Sequence, residues 1–283
     1  MATYNPTFLL GDDLEINRMG FGAMRITGPG IWGPPDNIAD AIDVLQRTVE
    51  LGVNFIDTAD SYGPNVSEEL IAEALYPYPP DLVIGTKGGL TRTGPNQWPV
   101  NAHPDHLREA LNGSLERLKL DYIDLYQLHR KDANVPFAKS LEFLQQAQED
   151  GLINHIGLSE VSIEDIKEAQ LYVEVVSVQN MYSVDNRKWE SELKYCEENN
   201  IAFIPWYPLG GGVTPAVDML NHLTTKYGAS VHQLALSWLL HHSPNILLIP
   251  GTSKVAHLEE NVAAASIVLD EEDIKALTSV STI

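Results

Sequence analysis

A single cysteine, Cys196, is all the chain contains, so no intramolecular disulfide can staple it and a reducing compartment is its natural setting. The surrounding ESELKYCEENN reads as a charged helix, and a structural role is expected for the thiol. Basic residues are scarce as well: 18 Lys and Arg stand against 39 Asp and Glu, a net charge of −21. A surface of that sign repels nucleic acid and anionic bilayers, and neither is expected as a partner. No apolar run approaches the ~18 residues of a spanning helix, and the opening MATYNPTFLLGDD has neither the basic nor the apolar region of a secretion signal. These absences point to a cytoplasmic protein, expected to be a monomer or weak homo-oligomer.

What is present is enough apolar residue, 44% of 283, to build one large core. From about residue 19 onward, short apolar runs alternate with amphipathic segments, the pattern of repeated βαβ units. Eight strands are expected: MGFGAM, VNFID, LVIGTK, IDLYQL, INHIGL, VVSVQ, IAFIPW and NILLIP. Between them the apolar spacing is helical, as at Ile42, Leu45 and Val49, or Leu107, Leu111, Leu115 and Leu118. Gly52 and Gly151 fall where helices should end, and Ser162 to Asp165 (SIED) reads as a capping box. With no linker or low-complexity stretch to divide it, the chain is expected to be an α/β protein, one (β/α)8 TIM barrel over residues 1–283. TFLLGDDLEI should form an N-terminal β-hairpin across the barrel bottom, and extra helices are expected at the C-terminal end.

Residues 28–33 read GPGIWG, the G-x-G-x-x-G spacing of a dinucleotide fingerprint. That fingerprint needs its glycines to run straight into a helix whose first amides hold a pyrophosphate. Pro29 has no amide to offer, and Pro34 and Pro35 separate the last glycine from the helical pattern. The stretch is better read as a stiff first βα loop that carries Trp32 over the barrel mouth.

Catalytic groups of such barrels lie at the C-terminal ends of strands and in the loops just beyond. Here those positions are polar: Asp57 ends the second strand and TADSY leads to Tyr62, Lys87 ends the third, and His129 follows the fourth. A phenol with a pKa near ~10 transfers protons poorly at neutral pH. A neighbouring ammonium would lower that pKa, and a carboxylate would hold the ammonium in place. Asp57, Lys87 and Tyr62 can form this relay, with His129 hydrogen-bonded to the reacting oxygen. Each has a structural explanation when taken singly: an ion pair, a core tyrosine, a buried histidine. Their joint occurrence at three consecutive strand ends points to chemistry.

The stretches GVNFIDTADSYGPNVSEELIAEAL, LVIGTKGG, DYIDLYQLH, GLINHIGLSE, VQNMYS and IPGTSKVAHLEEN, spread in this order over nearly the whole chain, resemble the aldo/keto reductase family. The resemblance implies reduction of a small-molecule carbonyl by NADPH, with Tyr62 as general acid, Asp57 and Lys87 tuning it and His129 orienting the carbonyl. It also implies NADP(H) lying extended across the mouth without a Rossmann fold. The loops after strands seven and eight, WYPLGGG and PGTSKVAHLEEN, are the usual phosphate site of these barrels. Thr252 and Ser253 sit where they would cap a helix and its anion.

By similarity to the family, Lys254 takes the adenosine 2′-phosphate, Glu260 and Asn261 the adenine, and Ser159 and Gln179 the nicotinamide amide. Trp206 stacks on the ring, and Tyr207, Pro208, Leu209, Gly210, Gly251 and His257 complete the expected contacts. Three residues depart from the common pattern: Glu160 stands where many members have Asn, Trp206 where Tyr is common, and His257 where Arg often helps with the phosphate.

GPGIWGPP, EALYPYPPDL and SPNILLIPGTSKVAHLEEN resemble the pyridoxal reductase branch, which implies pyridoxal or another small aromatic aldehyde as substrate, with Trp32, Trp98 and Tyr182 as an aromatic lining. A cofactor-binding subunit of slow turnover, with a regulatory or redox-sensing role, is the alternative on the same fold. A metal-dependent hydrolase is disfavoured, because His103, His106, His241 and His242 fall at helix ends and do not converge at strand ends; no metal is expected.

Overall fold

The computed structural model describes residues 4–208 and 215–280. Two short antiparallel strands open the chain, β1 (Thr7–Leu10) and β2 (Leu14–Asn17). A parallel series follows: β3 (Phe21–Gly22), α1 (Ile38–Glu50), β4 (Phe55–Asp57), α2 (Val66–Leu75), β5 (Val83–Gly88), α3 (Pro104–Leu118), β6 (Ile123–Leu128) and α4 (Phe137–Glu149). It continues through β7 (Ile153–Ser159), α5 (Ile163–Ala169), β8 (Val175–Gln179), α6 (Glu190–Glu198), β9 (Ala202–Phe203), α7 (Pro215–Tyr227), α8 (Val231–His242), α9 (Val255–Ala263) and α10 (Glu271–Ser279). Strands β3 to β9 pair in sequence order, every pairing parallel.

The eighth stave, residues 245–249, differs from the expected strand. It meets both edges of the sheet through isolated parallel bridges, Phe203 with Ile246 and Met19 with Leu248. Four backbone hydrogen bonds of 2.8 to 2.9 Å close the barrel there. The irregularity has a local cause. Arg18, 1% exposed, threads the seam, and its Nε donates to the Ile246 carbonyl at 2.8 Å while Nη2 donates to Leu240 at 3.0 Å. The Arg18 amide, which a continued parallel ladder would aim at Ile246, donates instead to the Pro6 carbonyl at 2.9 Å.

Inside the barrel Phe55, Val83, Leu125, Val176, Leu247 and Ile249 pack on Phe8, Leu10 and Ile16 of the hairpin, which plugs the bottom as expected. Gly11 in its turn has φ +59, and a Cβ there would meet the His155 ring at 2.2 Å; only glycine allows this approach. The plug is tied down where His155 Nε2 meets Asp13 Oδ1 at 2.7 Å. A larger core fills the layer between sheet and helices. Gly52 and Gly151 end α1 and α4 with φ +81 and +76, and Ser162 and Asp165 cap α5 reciprocally. Cys196 is buried, and burial pushes its thiol well above the usual range.

Candidate active site

The plug closes one end of the barrel, and the polar strand ends gather at the other. Parallel register sets Asp57 beside Gly85 and Lys87 beside Gln127. Lys87 Nζ donates to Asp57 Oδ2 at 2.6 Å and to the Thr58 carbonyl at 2.8 Å, and both side chains of the pair are almost wholly buried. Asp57 Oδ1 accepts from the amides of Gln127 and Gln179, each at 3.0 Å.

Tyr62 lies over this pair, with the ammonium 5.2 Å from its ring centroid. Burial works against the Lys87 charge, but Asp57 and Tyr62 outweigh it and hold the ammonium above its usual pKa. Lys87 lowers the phenol as expected, but the net shift runs the other way. Burial of Tyr62 outweighs the cation, Asp57 adds to the effect, and the phenol is held above its usual value. Tyr62 is therefore protonated at neutral pH.

His129 meets the Tyr62 ring edge to face at 5.9 Å, and its Nδ1 is 3.5 Å from Ser61 Oγ. Burial first, then Lys87 and Arg130, push its pKa well below the usual histidine range, so the imidazole is neutral. Asp60, on the loop that carries Tyr62, is pushed up to about 8 by burial and then by Glu68.

On the substrate side Trp98 stands edge-on to Tyr62 at 6.3 Å, and Trp32, 37% exposed, is bridged to Gly63. Tyr182 does not join them. It is fully buried against Phe203, and its hydroxyl meets His242 Nε2 at 2.9 Å and Glu190. The tyrosine belongs to the layer between sheet and helices, because the chain beyond β8 turns its ring outward onto α6 and α8.

Of the expected cofactor residues, Ser159 Oγ donates to the Gln179 carbonyl at 2.9 Å and accepts from Arg130 at 2.8 Å. Trp206 Nε1 donates to Glu160 Oε1 at 2.7 Å, and so does the Met181 amide. Tyr207 is exposed and Pro208 buried; Leu209 and Gly210 lie outside the described residues. Gly251 packs so closely that a Cβ would meet the Gly22 carbonyl at 2.6 Å.

The helix after it starts later than Thr252 and Ser253 suggest: the N-cap of α9 is Lys254, with no side-chain cap. Thr252 Oγ1 instead accepts from the Lys254 amide at 3.1 Å. His257 is exposed, Asn261 is buried, and Glu260 accepts from Ser230 at the start of α8.

Ser253 and Lys254 share a cavity of about 400 Å³ with Arg25 and with Gly28, Pro29 and Gly30 of the GPGIWG loop. That loop is no phosphate cradle. Gly28, Ile31, Trp32 and Gly33 already spend their amides on carbonyls of Gly33, Gly28 and Gly63. It nevertheless forms the wall opposite the TSK segment. Neither Arg25 nor Lys254 is in an ion pair among the described residues.

Gln127 and Arg130 were not singled out from the sequence. Gln127 was legible, since residues two apart on a strand share a face and it alternates inward with His129. Arg130 follows β6 and donates to the His129 carbonyl at 2.6 Å; its role depends on contacts with β7 that no local pattern announces. Among the described residues no group of three or more His, Cys, Asp or Glu is placed to hold a metal, and no helix is long and apolar enough to cross a membrane.

Residues 18–282 match the model of the aldo/keto reductase family. The chain is 53% identical over 261 residues to an oxidoreductase of Schizosaccharomyces pombe, covering 92% of this chain and 85% of the relative. It is 42% identical over 281 residues to pyridoxine 4-dehydrogenase of Escherichia coli, covering 97% and 98%. Among solved structures, a thermostable aldo-keto reductase in complex with the inhibitor epalrestat superposes with a TM-score of 0.86 at 30% identity, covering 99% and 100%. An aldo-keto reductase of Bacillus halodurans in its holo form gives 0.81 at 26%, covering 98% and 97%. The site residues sit where a barrel enzyme keeps its chemistry, and the chain belongs to the aldo/keto reductase family of oxidoreductases.

Proposed function

We propose that this chain reduces an aldehyde to the alcohol with NADPH as reductant and Tyr62 as general acid. The observation that carries the reading is the buried Asp57 and Lys87 pair under a protonated Tyr62, beside an imidazole held neutral. The residues fit a dinucleotide phosphate. Arg25 and Lys254 line one cavity without ion-pair partners among the described residues, and α9 begins there with no side-chain cap, leaving its first amides for an anion. Lys254 would hold the 2′-phosphate, and the indole of Trp206 would meet the nicotinamide beside Ser159 and Gln179.

The bound cofactor supplies a hydride to the carbonyl carbon. The chain's own groups handle the oxygen. Neutral His129 donates a hydrogen bond to it, orienting the carbonyl. Tyr62 Oη gives its proton as negative charge grows on that oxygen, and Lys87 stabilises the phenolate left behind. Asp57 keeps the ammonium charged and in place. Trp32 and Trp98 provide the wall for an aromatic substrate. The similarity to pyridoxine 4-dehydrogenase of Escherichia coli makes pyridoxal the aldehyde to try first.

NADPH absorbance is followed with pyridoxal and with an aromatic aldehyde, for wild type and Tyr62→Phe. General acid catalysis contributes about 10² to 10⁴, so the variant should lose at least about 100-fold in kcat while binding NADPH as before. Wild type that binds NADPH and consumes neither aldehyde would overturn the reading in favour of a slow-turnover cofactor-binding subunit.

A further inference from the structure

Arg92 lies on the loop between β5 and α3, and nothing in the chemistry above uses it. Its guanidinium makes five hydrogen bonds, all to backbone carbonyls. Nε donates to Gln97 at 2.9 Å, Nη1 to Ile31 at 2.5 Å and Ser61 at 2.8 Å, and Nη2 to Gly30 at 3.0 Å and Gly94 at 3.2 Å. An arginine has five N–H donors in a rigid fork, so every one is used. The acceptors belong to three different loops: the GPGIWG loop after β3, the TADSY loop after β4 and the Arg92 loop itself.

One of those carbonyls is that of Ser61, the residue before Tyr62. The same cation sits 3.6 Å from the Trp98 ring centroid and 5.6 Å from that of Trp32, a spacing that holds both rings by cation–π attraction. Trp98 in turn stands edge-on to Tyr62. No carboxylate pairs with Arg92 among the described residues. A surface arginine kept only for solubility would not be organised this way.

We infer that Arg92 is a positioning residue that joins the three mouth loops, fixing the Trp32 and Trp98 walls for a planar aromatic carbonyl compound and holding Tyr62 within reach of its oxygen. The kinetic part of this inference rests on the proposed reductase activity; the mechanical part does not. Lysine at this position keeps the charge but has three donors and no planar fork, so it cannot replace all five bonds. Misplacing a reacting group by about 1 Å can cost on the order of 100-fold.

The test uses the full chain with Arg92→Ala and Arg92→Lys. Hydrogen–deuterium exchange is measured over residues 28–33 and 59–63, together with kinetics on an aromatic and a small aliphatic aldehyde at saturating NADPH. Exchange in both loops should speed up in both variants. The KM for the aromatic aldehyde should rise about 10-fold or more, consistent with the loss of one or two charge-assisted hydrogen bonds. The aliphatic KM should move less, and added guanidinium should restore part of the Arg92→Ala loss.

Unchanged exchange overturns the clamp, whatever the kinetics. Faster exchange with equal losses on both aldehydes and no guanidinium rescue reduces Arg92 to a general stabilising role and also overturns the inference. Wild type that reduces no aldehyde sinks the reductase reading, while the exchange data still decide the clamp.

Discussion

Replacing Asp57 by asparagine keeps the shape of the side chain and removes its charge, and the structure says what is left behind. Lys87, 0% exposed, loses its ion-pair partner and keeps the Thr58 carbonyl as a neutral acceptor. Breaking a buried pair by removing one member costs about 3–5 kcal/mol, a large part of the ~5–15 kcal/mol that holds an average domain folded. Lys87→Met should cost less, because Asp57 would retain two amide donors at 3.0 Å.

The penalty in Asp57→Asn should also depend on pH. In wild type the Lys87 pKa is raised in the folded state, through Asp57 and Tyr62 against burial. Its stabilisation is fully present below the unfolded value of ~10.4 and is lost as pH rises through the higher folded value. Without Asp57, burial dominates and the folded value drops below the unfolded one. The variant's penalty is then full at neutral pH and fades as pH climbs toward ~10. Urea denaturation followed by tryptophan fluorescence at neutral pH and near pH 9.5 measures both effects. A loss below about 1 kcal/mol at neutral pH, a loss that does not shrink with rising pH, or a larger loss in Lys87→Met would refute the reasoning.

Two further outcomes concern the reaction itself. Because Tyr62 is held above its usual pKa and His129 well below its own, kcat/KM for carbonyl reduction should show no ionisation near pH 6.5 and should fall only in the alkaline range above about pH 10; an acid limb near 6.5 would contradict the neutral imidazole. Lys254→Ala should weaken NADPH about tenfold, the loss of a charge-assisted hydrogen bond of ~1.5 kcal/mol, and leave NADH unaffected; fluorescence titration of both nucleotides decides this, and equal weakening would place Lys254 away from the 2′-phosphate.

Much of this protein is local and was readable as such. The exchange of period-two and helical patterns, Gly52 and Gly151 at helix ends, the Ser162 cap and the GDD turn each follow from a few adjacent residues, and they suffice for a plugged barrel. Asp57, Lys87 and His129 were legible because a barrel turns the ends of neighbouring strands toward one mouth, so position along the strand fixes position in space.

What only the tertiary structure decided depends on contacts between residues far apart in the chain. The phenol of Tyr62 is raised, not lowered, since burial by the assembled loops outweighs one ammonium. Tyr182 faces α6 and α8, since a residue beyond a strand end can turn to either side. The eighth stave is irregular where Arg18, more than 220 residues earlier, meets it with its side chain and turns its own amide to Pro6. Arg92 became a clamp only when three loops met around it. Sequence pattern determines which elements form and which ends they present; desolvation and contacts across the barrel determine the charge states and side-chain directions at the site.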